Sequence, residues 1–262
     1  MLLSVFVIGT KRLGAQRWID LGPISIQPSE FAKIFLVLTL ASYMAKRSHE
    51  RFEGFKAMFF SFLHMLPIFG LIALQPDLGT SLVLLIVYAT LVFINGLDWR
   101  TIFILIVAAI LAVPGAYFFL LHDYQRQRVL TFLHPGEDML GSGWNVMQSM
   151  IAIGSGGIDG KGFLQNSQSK LRFLPESHTD FIGAVYLEER GFLGGVALLF
   201  LYLFLLIQIL KIADDTEEKF GKLICYGIAS IFFFHIFINL GMIMGIMPVT
   251  GLPLLLMSYG GS

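Results

Sequence analysis

Apolar residues run along this chain in blocks of about twenty, a length that matches the hydrocarbon core of a bilayer. Polar residues collect between the blocks. The blocks are Ile26–Ala45, Ala57–Leu74, Leu78–Leu97, Thr101–Leu121, Phe181–Leu210 and Leu223–Met247. Met1–Gly9 reads as the tail of an earlier span and Leu252–Met257 as the start of a later one. The chain is therefore expected to be an incomplete membrane domain. No secretory signal peptide fits, because no basic stretch precedes the first apolar run. One long polar stretch lies between Leu121 and Asp180, too long for a bundle loop without a role. Within it, Asn145–Ile153 is apolar on one side and predicts a short interfacial helix. The expected fold class is all-α: a polytopic transmembrane helical bundle of about six complete spans, partial spans at both ends, and one long loop over residues 122–180.

Composition supports the membrane reading. Of 262 residues, 56% are hydrophobic and 14% charged, against about a quarter charged in a soluble domain. The formal net charge is zero, so nothing global points to nucleic acid. The single cysteine, Cys225, lies in an apolar run and has no partner for a disulfide or a metal set. The short loop carrying Lys46, Arg47, Arg51 and Lys56 argues for the cytoplasmic side. Alternation of spans then places the 122–180 loop on the extracytoplasmic side.

Charges inside spans are costly and mark cavities or partners. Glu30 and Lys33 stand three apart on one helix face, where they can pair. Asp77 opens a span and reads as a helix cap. Asp180 sits where the long loop meets the next span and has two readings: an N-cap, or a general base beside Glu176 and His178. Glu188, Glu189 and Arg190 follow about 12 Å further along the same helix and are expected to be buried in protein. Trp18 and Trp144 are interfacial anchors or sugar-stacking platforms. Gly154-Ser155-Gly156-Gly157 and Gly160-Lys161-Gly162 are rich enough in glycine to let backbone N–H groups converge on a phosphate. No Ser or Thr follows Lys161, so this is not a nucleotide-binding P-loop. Arg126, Arg128, Lys161, Lys170 and Arg172 suit a pyrophosphate, or anionic lipid headgroups.

Taken together, six ordered motifs resemble the SEDS family (shape, elongation, division and sporulation proteins). They are Ala15-Gln16-Arg17-Trp18 with Gln27-Pro28-Ser29-Glu30 and Lys33; Gln75-Pro76-Asp77-Leu78-Gly79-Thr80; Tyr124-Gln125-Arg126-Gln127-Arg128; the two glycine clusters; Leu174-Pro175-Glu176 with His178-Thr179-Asp180-Phe181; and Pro248-Val249-Thr250-Gly251-Leu252-Pro253 with Ser258-Tyr259-Gly260-Gly261-Ser262. The spelling between Tyr124 and Phe173 is more similar to the RodA branch, of cell elongation, than to the FtsW branch, of division. The resemblance implies a ten-span enzyme of the bacterial cytoplasmic (inner) membrane, with its active site on the extracytoplasmic face. It implies polymerisation of lipid II on undecaprenyl pyrophosphate, an inverting glycosyl transfer. A class B penicillin-binding protein and the elongation machinery are the implied partners. The family's essential carboxylate maps to Asp180 and its intramembrane ion pair to Glu30 and Lys33. Arg126, Arg128, Lys161, Lys170, Arg172, Trp18 and His178 are the candidates for substrate and pyrophosphate binding. A divalent cation, Mg or Mn, is a candidate cofactor. A lipid II transporter and a non-catalytic scaffold remain the alternatives. Gly183 stands where the family usually has an aromatic, Leu187 where it has a glycine, and Leu255-Leu256 where it has Pro-Phe.

Overall fold

The computed structural model describes residues 2–12, 15–20, 25–47, 55–75, 77–96, seven positions from 100 to 115, and then 123–133, 142–165 and 173–259. The chain divides into two compact units: Met1–Leu120 with Leu206–Phe234, and Leu121–Leu205 with His235–Gly260.

In the first unit, α1 (Leu2–Ile8) leads into a small antiparallel sheet of order β1-β2-β3, formed by Thr10–Arg12, Ala15–Asp20 and Ser25–Ile26. Thr10 faces Trp18, and Ile19 faces Ile26. This ribbon was not expected, and it sits outside the spans, which are helical as the all-α reading requires. Helix α2 (Pro28–Lys46) starts on Pro28, whose fixed φ suits a first turn and whose missing N–H costs nothing there. Leu36, Val37, Leu40 and Met44 of α2 are buried, while Phe31, Ile34, Phe35 and Leu38 are exposed. A helix apolar on both faces packs one against protein and offers the other to lipid. α3 (Phe55–Leu74) and α4 (Leu78–Ile94) pack against it and each other. Tyr88 Oη donates to the Met58 carbonyl at 2.7 Å and lies 3.1 Å from Ser61 Oγ, a buried polar tie between α3 and α4. The described positions from 100 to 115 are helical, in line with the fourth expected span.

In the second unit, α5 (Asp123–Leu133) and α6 (Ser142–Gly156) lie in the long polar stretch. The interfacial helix expected over Asn145–Ile153 is thus part of α6. Two long apolar helices follow, α7 (Ile182–Asp215) and α8 (Lys219–Ile243), each contributing to both units. Most of the apolar stretch of α7 is exposed, a surface that suits a bilayer.

α8 ends four residues before the expected Met247. Gly245 has φ 70°, and the Ile246 N–H returns to the Gly241 carbonyl at 2.8 Å, a left-handed helix stop that favours glycine. Beyond it, Leu252–Met257 does not begin a helix. Residues 248–254 form no regular secondary structure and 255–257 turn, held by side chains described below.

α7 is broken at Gly191 (φ 62°, ψ −163°), a conformation essentially reserved for glycine. Broken backbone at membrane depth survives only where protein satisfies it. The segment after α6 does so. Lys161 N–H and Gly162 N–H donate to the carbonyls of Glu188 and Glu189, both at 3.0 Å. Phe192 N–H and Leu193 N–H donate to Gly157 and Ile158, at 2.9 and 3.1 Å. A Cβ on Gly156, Gly160 or Gly191 would collide with the facing backbone. Of the glycines that suggested a phosphate cradle, Gly156 and Gly160 serve this close docking, and the N–H groups of Lys161 and Gly162 are spent on protein carbonyls.

Candidate active site

The strongest sequence signature forms a tight turn over residues 175–181, ahead of α7. Leu174 and Phe181, each 2% exposed, anchor its two ends. Glu176 adopts φ 54°, unusual without glycine, and its carbonyl accepts the N–H groups of Thr179 and Phe181, both at 3.2 Å. Thr179 Oγ1 donates to Glu176 Oε2 at 2.8 Å. Strain of this kind collects at functional sites. The turn leaves Asp180 half-buried just before the helix.

The first helical bonds of α7 run from Ala184 and Val185 to the Phe181 carbonyl. Among the described residues, no backbone N–H is capped by the Asp180 carboxylate. Burial first, then the charge of Glu176, with Arg128 opposing them, push its pKa from 3.8 up to about 6. A carboxylate so placed holds a proton more readily than an ordinary aspartate, which suits a general base near neutral pH.

Residues 248–259 lie along this turn. Ser258 Oγ donates to the Thr179 carbonyl and accepts from the Leu254 N–H, both at 2.8 Å. Tyr259 N–H donates to the His178 carbonyl at 2.8 Å. Arg128 Nη1 donates to the Val249 carbonyl at 2.9 Å, placing a guanidinium of α5 beside the strap. Tyr202 Oη donates to Leu255 O at 2.7 Å, and His235 Nδ1, facing the Pro253 carbonyl at 3.0 Å, must carry the proton there. Asn239, fully buried, donates from Nδ2 to the Asp180 and Leu252 carbonyls, both at 2.8 Å. The sequence reading named neither Asn239 nor this strap as part of the site.

Other candidates fall elsewhere. Arg126 is half-buried on α5 and His178 is exposed. The Lys161 ammonium is committed to Glu188, 2.7 Å away and fully buried. Of the cluster expected to be buried, only Glu188 is: Glu189 is half-buried and Arg190, just before the break in α7, is exposed. Trp144 donates to the Phe173 carbonyl at 3.0 Å and so steadies the start of the signature segment. Lys170 and Arg172 lie outside the described residues.

In the first unit, Glu30 and Lys33 pair at 2.7 Å, as their spacing predicts, with the Lys33 side chain 3% and the Glu30 side chain 18% exposed. Asp77 is the cap of α4. Its oxygens accept from Thr80 N–H (3.3 Å), Thr80 Oγ1 (2.9 Å), Gln27 Nε2 (2.9 Å) and Ser29 Oγ (3.2 Å), and Arg17 stands 3.7 Å away. Arg17 Nε also donates to the Gln75 carbonyl at 3.2 Å, which holds strand β2 against the start of α4. Trp18, on β2, is half-buried, and its carbonyl accepts from Thr10 Oγ1 at 3.4 Å.

Apolar helices with buried charge, and a carboxylate set at the mouth of one of them, define a polytopic membrane protein with the makings of an enzyme site. The profile of the cell cycle protein family that groups FtsW, RodA and SpoVE matches residues 1–262, and the chain belongs to that family. It is 45% identical over 265 residues to the peptidoglycan glycosyltransferase MrdB of Escherichia coli K12, covering all of this chain and 70% of that one. It is 36% identical to the peptidoglycan glycosyltransferase RodA of Treponema pallidum, covering 100% and 76%. Among solved structures it resembles a chain of a peptidoglycan synthase complex that coordinates polymerisation and crosslinking, at TM-score 0.81 and 38% identity, covering 100% and 72%. It also resembles RodA of Thermus thermophilus, at TM-score 0.66 and 32% identity, covering 100% and 68%.

Proposed function

We propose that this chain is a peptidoglycan glycosyltransferase of cell elongation, polymerising lipid II into glycan strands with Asp180 as its general base. The 4-hydroxyl oxygen of the acceptor sugar attacks the anomeric carbon of the donor chain. Its proton passes to an Asp180 carboxylate oxygen. The bond from the anomeric carbon to the pyrophosphate oxygen breaks, and its electron pair leaves on undecaprenyl pyrophosphate. Attack opposite the leaving group inverts the anomeric centre. Arg128, with Arg126, steadies the charge that develops on the pyrophosphate, and fixed cations of this kind contribute strongly to catalysis. Lys170 and Arg172 are proposed for the same task, with His178 beside the acceptor. Lys161 keeps part of its surface open to headgroups but answers first to Glu188. In the other unit, Glu30 and Lys33 are proposed to shape a polar cavity, since charge in an apolar span is costly, and Trp18 to stack on a sugar ring.

Among the described residues no group of three or more His, Cys, Asp or Glu side chains converges to hold a metal. A Mg or Mn ion bound with the pyrophosphate would help neutralise the charge of the leaving group. The setting proposed is the cytoplasmic membrane, with the site on the outer face and a class B penicillin-binding protein as crosslinking partner.

The half-buried Asp180 carboxylate, free of capping duty among the described residues and pushed up to about 6, carries this reading. Its test supplies labelled lipid II to the full-length protein purified with its partner, the transpeptidase blocked. Glycan polymer is expected from the wild type and none from Asp180→Ala. Polymer from Asp180→Ala overturns the assignment of the base. Lipid II translocation without polymer from either protein favours a transporter, and neither activity favours a scaffold.

A further inference from the structure

We infer that Asn239 is a positioning residue for Asp180: its side-chain amide clamps the Asp180 backbone to the strap of residues 248–258 and holds Gly251 against the carboxylate. This rests on the reading of Asp180 as the base.

The amide has one orientation open to it. Both groups it faces are backbone carbonyls, at 2.8 Å each, and carbonyls only accept. Nδ2 therefore points at them, and both of its hydrogens are used. Oδ1 has no hydrogen-bond partner and lies 3.7 Å from where a Cβ on Gly183 would stand. A fully buried polar oxygen left without a partner carries a desolvation cost. The geometry accepts that cost to bind two strands of backbone with one side chain. One strand is the catalytic turn at Asp180, the other the strap at Leu252.

Between the two bonds lies Gly251, with φ 72°. A Cβ there would come 3.4 Å from Asp180 Oδ2. The strap thus passes beside the carboxylate, in a backbone conformation that favours glycine. Without the clamp, Asp180 gains water and loses its fixed position. The titratable groups set around it are Glu176 and His178 on its own turn and Arg128 from α5. His235 and Tyr259 are the only ones that α8 from His235 onward and the strap through Tyr259 contribute. No Asp, Glu, Lys or Arg lies on α8 from His235 onward or on the strap through Tyr259.

The experiment uses the full-length protein with its partner and measures lipid II polymerisation from pH 5 to 8.5. Asn239→Ala is expected to lower kcat about 100-fold, as a small misplacement of a reacting group does, with KM for lipid II within about twofold. The acidic limb of its rate profile should move below that of the wild type, since a rehydrated Asp180 titrates closer to an ordinary aspartate. Asn239→Ser, able to keep one donation, should fall between. Gly251→Ala approaches the same carboxylate from the strap side and should also lower kcat; it carries the test if Asn239→Ala does not accumulate. Ser149→Ala removes another buried tie of this unit, the 2.6 Å bond from Oγ to the Ile243 carbonyl, and should lower stability without moving the limb. Wild-type kcat and limb in Asn239→Ala, or an equal shift in Ser149→Ala, overturn the proposal. Asp180→Asn runs alongside and should be inactive at every pH. Activity in that variant overturns the base itself, whereas inactivity there beside wild-type behaviour in the Asn239 variants overturns only the clamp.

Discussion

Asp77 and Asp180 are the same residue at the same kind of place, an aspartate ahead of an apolar helix, yet the molecule treats them in opposite ways. Asp77 is 4% exposed and surrounded by donors from Gln27, Ser29 and Thr80, with Arg17 at 3.7 Å. Its charge is consumed by structure. Asp180 is held by its backbone carbonyl, through Asn239, while its carboxylate caps nothing among the described residues. Its charge is buried without being neutralised, which is why its proton affinity rises. A carboxylate is available for chemistry when the fold fixes its backbone and leaves its oxygens unspent. Residue type and helix position do not separate these two cases. The direction from which the fixing bonds come does.

Exchanging each carboxylate for an amide tests that contrast most severely. Asp180→Asn should lower polymerisation at least about 1,000-fold, as expected when a general base is removed from a positioned site. It should also raise stability at pH 7 to 8, by on the order of 1 kcal/mol, a common price of function relieved. The sign follows from the raised value. The folded state holds the Asp180 proton more tightly than the unfolded chain, so stability falls as pH rises from 3.8 toward about 6. A neutral amide escapes that loss. Thermal unfolding of the full-length protein at pH 7.5 checks it, and a destabilised Asp180→Asn would break the comparison.

Asp77→Asn should act the other way. Its donors would face an NH₂ group in place of one acceptor oxygen, in a buried site. Roughly 3 kcal/mol of stability should be lost, and the protein that remains folded should keep kcat within about threefold. Melting temperature and rate per folded molecule separate the two effects. A selective loss of kcat at full stability would move Asp77 into the chemistry.

Local spacing made some of this legible. Glu30 and Lys33 pair because a helix brings residues three apart onto one face, and that distance is encoded in the chain itself. The Asp77 cap follows from the same locality, as do the spans. Asn239 was hidden because its partners lie 59 and 13 residues away, and an asparagine in an apolar helix announces only that it needs a partner. Gly156 and Gly160 of the glycine clusters have a partner that spacing does not reveal, for a related reason. Glycine signals close backbone approach, and the backbone that approaches is α7 at its break, not a phosphate. Strands β1 and β3 are too short to imprint an alternating pattern on the sequence, and β2, Ala15–Asp20, does not alternate. Leu252–Met257 looks like the start of a span by composition, but Asn239, His235, Tyr202 and Ser258 capture its backbone polar groups and keep it out of a helix.

The subtlest test keeps Asp180 and changes only the charges around it. Asp180 must be ionised to accept a proton, so the rate should climb with pH through a midpoint near 6. Glu176 raises that midpoint and Arg128 lowers it. Glu176→Gln should therefore move the acidic limb to lower pH, and Arg128→Gln should move it to higher pH. Glu176→Gln keeps an oxygen for the Thr179 hydroxyl, so the turn should survive and kcat on the plateau should change little. Arg128→Gln also removes the bond to the Val249 carbonyl and a cation proposed for the pyrophosphate, so its plateau should fall as well as its limb shift. Raising salt should shrink both displacements, because partly exposed charges are screened, while the share of the midpoint that comes from burial should persist. Shifts of opposite sign on one residue are hard to obtain from general damage to the fold. If both variants moved the limb the same way, the titrating group would not be Asp180, and the contrast with Asp77 would lose its chemical meaning.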